Sequence, residues 1–160
     1  MRGMKNWVVG LALLAPLASL PAQAAWQGVG AATQAKRSGD EVSFATAGGA
    51  QVIVSFVTAD VVRVRMGADG KLGRDFSYAR VDNASTPAKF EFDDNVERSE
   101  LRAAASGTRV VVQKRPMLSI TIYDAQGRVV VADDPARPMA FDAATGAVEA
   151  SKQRGAYELY

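Results

Sequence analysis

The sequence predicts an all-β chain folded as an antiparallel β-sandwich, and three observations carry that expectation. Short runs rich in β-branched and aromatic residues recur with turn-forming residues between them. Within the strongest runs, apolar and polar residues alternate with period two. Nowhere do apolar residues hold a helical spacing for three turns. Sheets with one dry face and one wetter face must cover their dry faces against each other, which means a sandwich or a barrel.

In chain order, the predicted strands are Val42 to Thr46, Gln51 to Val57, Val61 to Met66, Phe76 to Val81 and Lys89 to Phe92. Leu101 to Ala104, Thr108 to Lys114, Leu118 to Tyr123, Arg128 to Val131 and Ala156 to Leu159 follow. In Val61 to Met66, the dry face is Val62, Val64 and Met66, opposite Arg63 and Arg65. In Leu118 to Tyr123 it is Leu118, Ile120 and Ile122, opposite Ser119, Thr121 and Tyr123. The connections suit hairpins: Thr58-Ala59-Asp60, Asp69-Gly70, Ser106-Gly107 and Asp124-Ala125-Gln126-Gly127. Gly48-Gly49 lies between strands and reads as a turn. Pro135 and Pro138 bracket an expected surface loop after Asp133-Asp134.

The N-terminus has the three parts that export requires. Met1 to Asn6 is basic, Trp7 to Leu20 is apolar, and Pro21-Ala22-Gln23-Ala24 supplies an Ala-x-Ala end. Cleavage is expected between Ala24 and Ala25, leaving an exported protein, periplasmic or secreted. The competing reading is a retained anchor. Against it, the apolar run is short, Pro16 interrupts it, and no basic stop-transfer cluster follows closely. The domain organisation is therefore a signal peptide over 1–24, a small and polar lead-in segment over 25–40, and a β-sandwich domain over 41–160.

Charge narrows the partners. The formal net charge is +2, but Arg2 and Lys5 leave with the signal peptide, so 17 basic residues face 17 acidic ones. A neutral mature chain has no global field to attract nucleic acid or an anionic membrane. No nucleic-acid partner is expected, and no membrane partner after cleavage. The chain has no cysteine, which excludes disulfides and thiolate chemistry, so the 136 residues of the mature chain must hold themselves by their core. At that size, folding buries roughly 65 to 70% of the unfolded surface.

The chain also has no histidine, so a Ser-His-Asp or Cys-His arrangement is impossible and His/Cys zinc sites have no ligands. No phosphate-cradling Gly-x-x-x-x-Gly-Lys-Ser/Thr sequence occurs, and no cofactor or metal is expected. Carboxylates remain, and glycoside hydrolysis needs only two of them. Asp93-Asp94 and Asp133-Asp134 are adjacent pairs, but both flank predicted turns, where Asp bonds its own backbone. Glu91 alternates with Phe90 and Phe92 and is expected to face solvent. Arg63 and Arg65, with Arg80 nearby, read as the wet face of an amphipathic strand. Trp26 is the only tryptophan of the mature chain, and Tyr78, Tyr123 and Tyr157 read as half-buried packing residues, so a sugar-stacking platform is weakly indicated.

Four segments together resemble the N-terminal β-sandwich of glycoside hydrolase family 31. They are Val61-Val62-Arg63-Val64-Arg65-Met66, Asp75-Phe76-Ser77-Tyr78-Ala79, the hairpin from Leu118 to Val129 with its Asp124-Ala125-Gln126-Gly127 turn, and Ala156-Tyr157-Glu158-Leu159-Tyr160. The last is similar to the approach to the family's Tyr-Gly-Leu-Gly-Glu segment. The resemblance runs from about Glu41 to Tyr160. It implies a galactose-mutarotase-like sandwich, incomplete at its C-terminus, that precedes a (β/α)8 barrel in retaining α-glycosidases. The family's two catalytic aspartates sit on that barrel, no residue here matches their motifs, and no catalytic residue is assigned. An oligosaccharide or α-glycoside is then the implied partner, engaged through the missing catalytic domain. The alternative is a complete, non-catalytic periplasmic β-sandwich that binds carbohydrate or another protein.

Overall fold

The computed structural model of the chain describes residues 26–74 and 88–155. The expected signal peptide, the expected Ala24–Ala25 cleavage position and the predicted strands Phe76 to Val81 and Ala156 to Leu159 lie outside the described residues. Within them no helix occurs, and the strands form three antiparallel sheets.

The first elements are β1 (Trp26–Gly28), β2 (Ala32–Ser38), β3 (Glu41–Thr46), β4 (Gln51–Phe56) and β5 (Val62–Gly67). After the undescribed stretch come β6 (Phe90–Asp94), β7 (Arg98–Ala103), β8 (Arg109–Gln113), β9 (Ser119–Tyr123) and β10 (Val129–Asp133). The chain continues through β11 (Ala140–Asp142), β12 (Val148–Glu149) and β13 (Lys152–Arg154). One sheet has the order β2-β3-β4-β5, the second β13-β10-β9-β8-β7-β6, and a small third β1-β11-β12.

Period-two patterning decides the faces, as the sequence predicts. Val54 stands opposite Val64 and Val52 opposite Met66, while Ser55 and Ile53 stand opposite Arg63 and Arg65. In the larger sheet, Leu101 faces Val110, and Val112 faces Ile120. One continuous core joins these faces: Val42, Phe44, Val52, Val54 and Phe56 from one sheet, with Phe90, Leu101, Val110, Val112 and Ile120 from the other. The Phe56 and Phe90 rings meet across the gap at 5.7 Å, tilted by 40°. Ring pairs in this geometry add to the stabilisation that area burial gives.

Two stretches depart from the expectation. The lead-in segment carries two strands: β1 pairs with β11 and β2 with β3. The Pro135–Pro138 loop is followed by three further strands that the sequence reading leaves out. The reason is physical. All the residues of β1, β12 and β13 are exposed, so these strands carry no dry face for a period to reveal. Their pairing is set by backbone hydrogen bonds and by neighbours distant in sequence.

Candidate functional site

One end of the sandwich gathers the connections from three parts of the chain. The β8–β9 connection, Lys114 to Leu118, passes through a cis Arg115–Pro116 peptide and lies against the turn between β1 and β2. The Ala32 N–H donates to the Lys114 carbonyl at 2.9 Å, and the Leu118 N–H to the Gly30 carbonyl at 2.8 Å. On the other side, the Lys114 N–H donates to the Glu97 carbonyl at 2.8 Å, and the Val29 N–H to the Met139 carbonyl at 3.0 Å. Backbone hydrogen bonds thus tie this connection to the β6–β7 turn and to the β1–β2 segment, and tie that segment to the loop before β11.

Two grooves flank that connection, and Arg115 lines both. The first, of about 410 Å³, is bordered by Ala32 to Ala35, by Asp94 to Val96 and by Lys114. Lys114 is buried; its ammonium pairs with Asp94 at 2.6 Å and donates to the Asn95 carbonyl at 2.6 Å. The same Asp94 oxygen accepts the Ser99 hydroxyl, and Ser99 is fully buried. The second groove, of about 390 Å³, has a more apolar wall of Pro116, Met117, Leu118, Pro135 and Pro138 beside Asp133 and Asp134.

The acidic residues singled out in the sequence take two different roles. Asp134 does what turn aspartates do, accepting the Ala136 N–H at 2.9 Å. Asp133 and Asp94 do not. Asp133 is buried, accepts the Ile120 N–H at 2.7 Å and pairs with Lys152, while Asp94 serves Lys114 and Ser99. Here the expectation that both pairs only cap turns is corrected, because the carboxylates reach across strands to cations that sequence distance hides. Glu91 and Asp93 are exposed.

Two further turn aspartates hold their carboxyl groups below the ordinary value. For Asp142, the Ala144 N–H is the main cause, then the Thr145 hydroxyl, against burial that pushes the other way. For Asp124, burial raises the value, but the Arg128 N–H, the Arg128 guanidinium and the Gln126 N–H together lower it further. These are structural carboxylates with the charged form favoured. Among the described residues, no group of three His, Cys, Asp or Glu side chains could hold a metal ion.

Of the other candidates, Tyr123 is half-buried with the Arg109 guanidinium 4.3 Å from its ring centre, and Arg109 also pairs with Glu100 at 3.3 Å. The guanidinium takes the ring face on which it lies, so that face offers no platform for a sugar. Arg63 and Arg65 are half-buried on the wetter side of β5, and Arg65 donates to the Gly73 carbonyl at 2.7 Å. Trp26 is exposed on β1. Sequence reasoning missed Lys114 and the Pro116–Met117 wall; the Arg115-Pro116 step between two strands was the available signal.

The comparisons bear on the fold. No protein-family model matches the sequence, and no curated protein matches it either. Solved structures do. A glycoside hydrolase family 31 dextranase of Flavobacterium johnsoniae, complexed with isomaltotriose, matches 73% of this chain at 20% identity with a TM-score of 0.62. The fold is that of a segment of this dextranase. The match spans only 14% of the dextranase chain. A cycloalternan-forming enzyme of Listeria monocytogenes, in complex with a pentasaccharide substrate, matches the same share of this chain at 15% identity and a TM-score of 0.57. There the match spans 10% of the enzyme. The all-β sandwich and its likeness to part of family 31 enzymes thus agree with what the strand and hairpin motifs implied.

Proposed function

We propose that this chain is the accessory β-sandwich of an exported family 31-like α-glycosidase, with bond cleavage performed by a (β/α)8 barrel outside the sequence given. The observation that carries this reading is the fold shared with a 14% segment of a dextranase. The chemistry of the described residues supports it. Both buried carboxylates, Asp133 and Asp142, are committed to a cation or to N–H and hydroxyl donors, which leaves neither as a general acid or nucleophile. The role of such a sandwich is to pack against the barrel and shape the mouth through which an α-glucoside or α-xyloside enters.

The deciding experiment reads the coding sequence downstream of Tyr160. An in-frame Gly-Leu-Gly-Glu followed by a long barrel pattern supports the proposal. A stop codon there overturns it in favour of a self-standing binding domain. On the protein, the purified chain turns over no α-glucoside or α-xyloside, and turnover that survives controls for contaminants sinks the reading.

Export belongs to the same proposal. Cleavage after Ala24 leaves Trp26, the first residue of β1, in the mature chain, so processing and folding are compatible. Intact mass and N-terminal sequencing of the exported protein should give Ala25 as the first residue. A product that retains residues 1–24 would make the segment an anchor.

A further inference from the structure

β13 is attached to the sandwich without contributing to its core. All three of its residues, Lys152, Gln153 and Arg154, are exposed. Among the described residues it pairs only with β10, at the edge of the larger sheet, in the register Val131 with Arg154, Ala132 with Gln153 and Asp133 with Lys152. The Asp134 N–H donates to the Ser151 carbonyl at 3.0 Å, and the Gly155 N–H to the Val130 carbonyl at 2.9 Å. Water can replace backbone hydrogen bonds of this kind at an exposed edge, so their net contribution is small.

One contact is different. The Lys152 ammonium pairs with Asp133, whose side chain is 4% exposed, and the other Asp133 oxygen accepts the Ile120 N–H. Ile120 belongs to the core. Through Asp133, the lysine is therefore connected to the centre of the sheet, and lifting β13 away would strip a buried carboxylate of its cation. That penalty is of a kind that water makes good least easily. The exposed Gln153–Asp134 hydrogen bond, at 3.2 Å, carries no such penalty.

We propose that β13 is a latched strap: it opens and closes on the β10 edge as a local unit, and the Lys152–Asp133 pair sets how much of the time it is closed. Asp133 and Asp134 also line the groove beside Pro116, so the latch and that groove share side chains. Opening the strap frees the Asp133 carboxylate toward the groove.

Amide hydrogen exchange of the mature chain tests this, with Asp134 and Gly155 reporting on the strap and the β8 amides reporting on global opening. In the unmodified protein, the strap amides exchange at least about tenfold faster than the β8 amides, as a local opening requires. Lys152→Met accelerates Asp134 and Gly155 by a further tenfold or so, and β8 by at most the same factor because global opening breaks the same pair; Lys152→Arg stays near the unmodified rates, and Gln153→Ala changes them less than about twofold. Strap amides as slow as β8 in the unmodified protein overturn the proposal without any variant. So does no acceleration of the strap in Lys152→Met, strap amides that no longer exchange faster than β8 in that variant, or a Gln153→Ala effect as large as that of Lys152→Met.

Discussion

Single residues show how far local chemistry reaches. Asp142 was not among the residues that the sequence marks, yet its carboxylate organises the turn to β12: it accepts the Ala144 N–H at 2.9 Å and the Thr145 hydroxyl at 2.8 Å. These donors favour the charged form and hold the carboxyl below its ordinary value of 3.8. The stabilisation is therefore full above the unfolded-state value and is lost as pH falls through the lower folded value. Asp142→Asn should lower the urea midpoint at pH 7, and the gap to the unmodified protein should narrow as pH falls below about 4. A gap that stays constant from pH 7 to pH 3 would remove the charge from the explanation. Gly48 makes a complementary case. The Gly48-Gly49 pair is legible as a turn, and the Gly49 N–H does return to the Thr46 carbonyl. The sequence is silent on the crowding. A Cβ on Gly48 would lie 2.8 Å from the carbonyl oxygens of both Gly28 and Val29, backbone that cannot swing aside. Gly48→Ala should cost about 1 to 3 kcal/mol by forcing those segments apart. Chemical denaturation measures it, and a neutral substitution would mean that the β1 segment is not seated against this turn.

Whole elements were legible where they carry a dry face. β3, β4, β5, β7, β8 and β9 all appear within a few residues of the predicted bounds, because alternation is imposed by the core they share. Leu101, on β7, has no exposed surface and stands between Phe92 and Val110 within the core that both sheets share, so its truncation creates a cavity that the two sheets cannot close. Leu101→Ala should cost about 2 to 5 kcal/mol. Val129→Ala, on the exposed start of β10, should stay within about 0.5 kcal/mol. If urea denaturation gave the two substitutions equal costs, the core would not lie where these strands place it. The elements that the sequence hides are β1, β2, β12 and β13, which carry no continuous dry face, and β11, which buries Phe141 and Asp142 but is too short to show a period. In β2 only Ala32 is buried, and a bulge between Ala32 and Gln34 interrupts its register with β3. A period of two cannot be read through a strand that is wet on both sides. The groove around Lys114 was hidden for a related reason, since its walls come from segments between Ala32 and Arg115 that are joined only by folding.

At the scale of the molecule, the two sheets share one core, and among the described residues no buried side-chain nitrogen or oxygen lacks a hydrogen-bond partner. A core of this kind unfolds as a unit, and the described residues lie within the size range where single domains do so. The strand β1 offers an independent probe. In the chain cleaved after Ala24, as proposed above, Trp26 is the only tryptophan, and β1 is tied to the sandwich through β11 and through the Val29 N–H to the Met139 carbonyl. Tryptophan fluorescence therefore follows the docking of β1, while far-UV circular dichroism follows the sheets. The two signals should give the same urea midpoint, since the β1 segment contributes fully buried Val29 to the core. An earlier fluorescence transition would mean that β1 detaches before the sheets open, and a compact state with no near-UV signal that binds ANS would mean that the sheets do not pack without the rest of a larger enzyme. The fold makes the coincident outcome the expected one: among the described residues, the core side chains of both sheets are already buried within this chain.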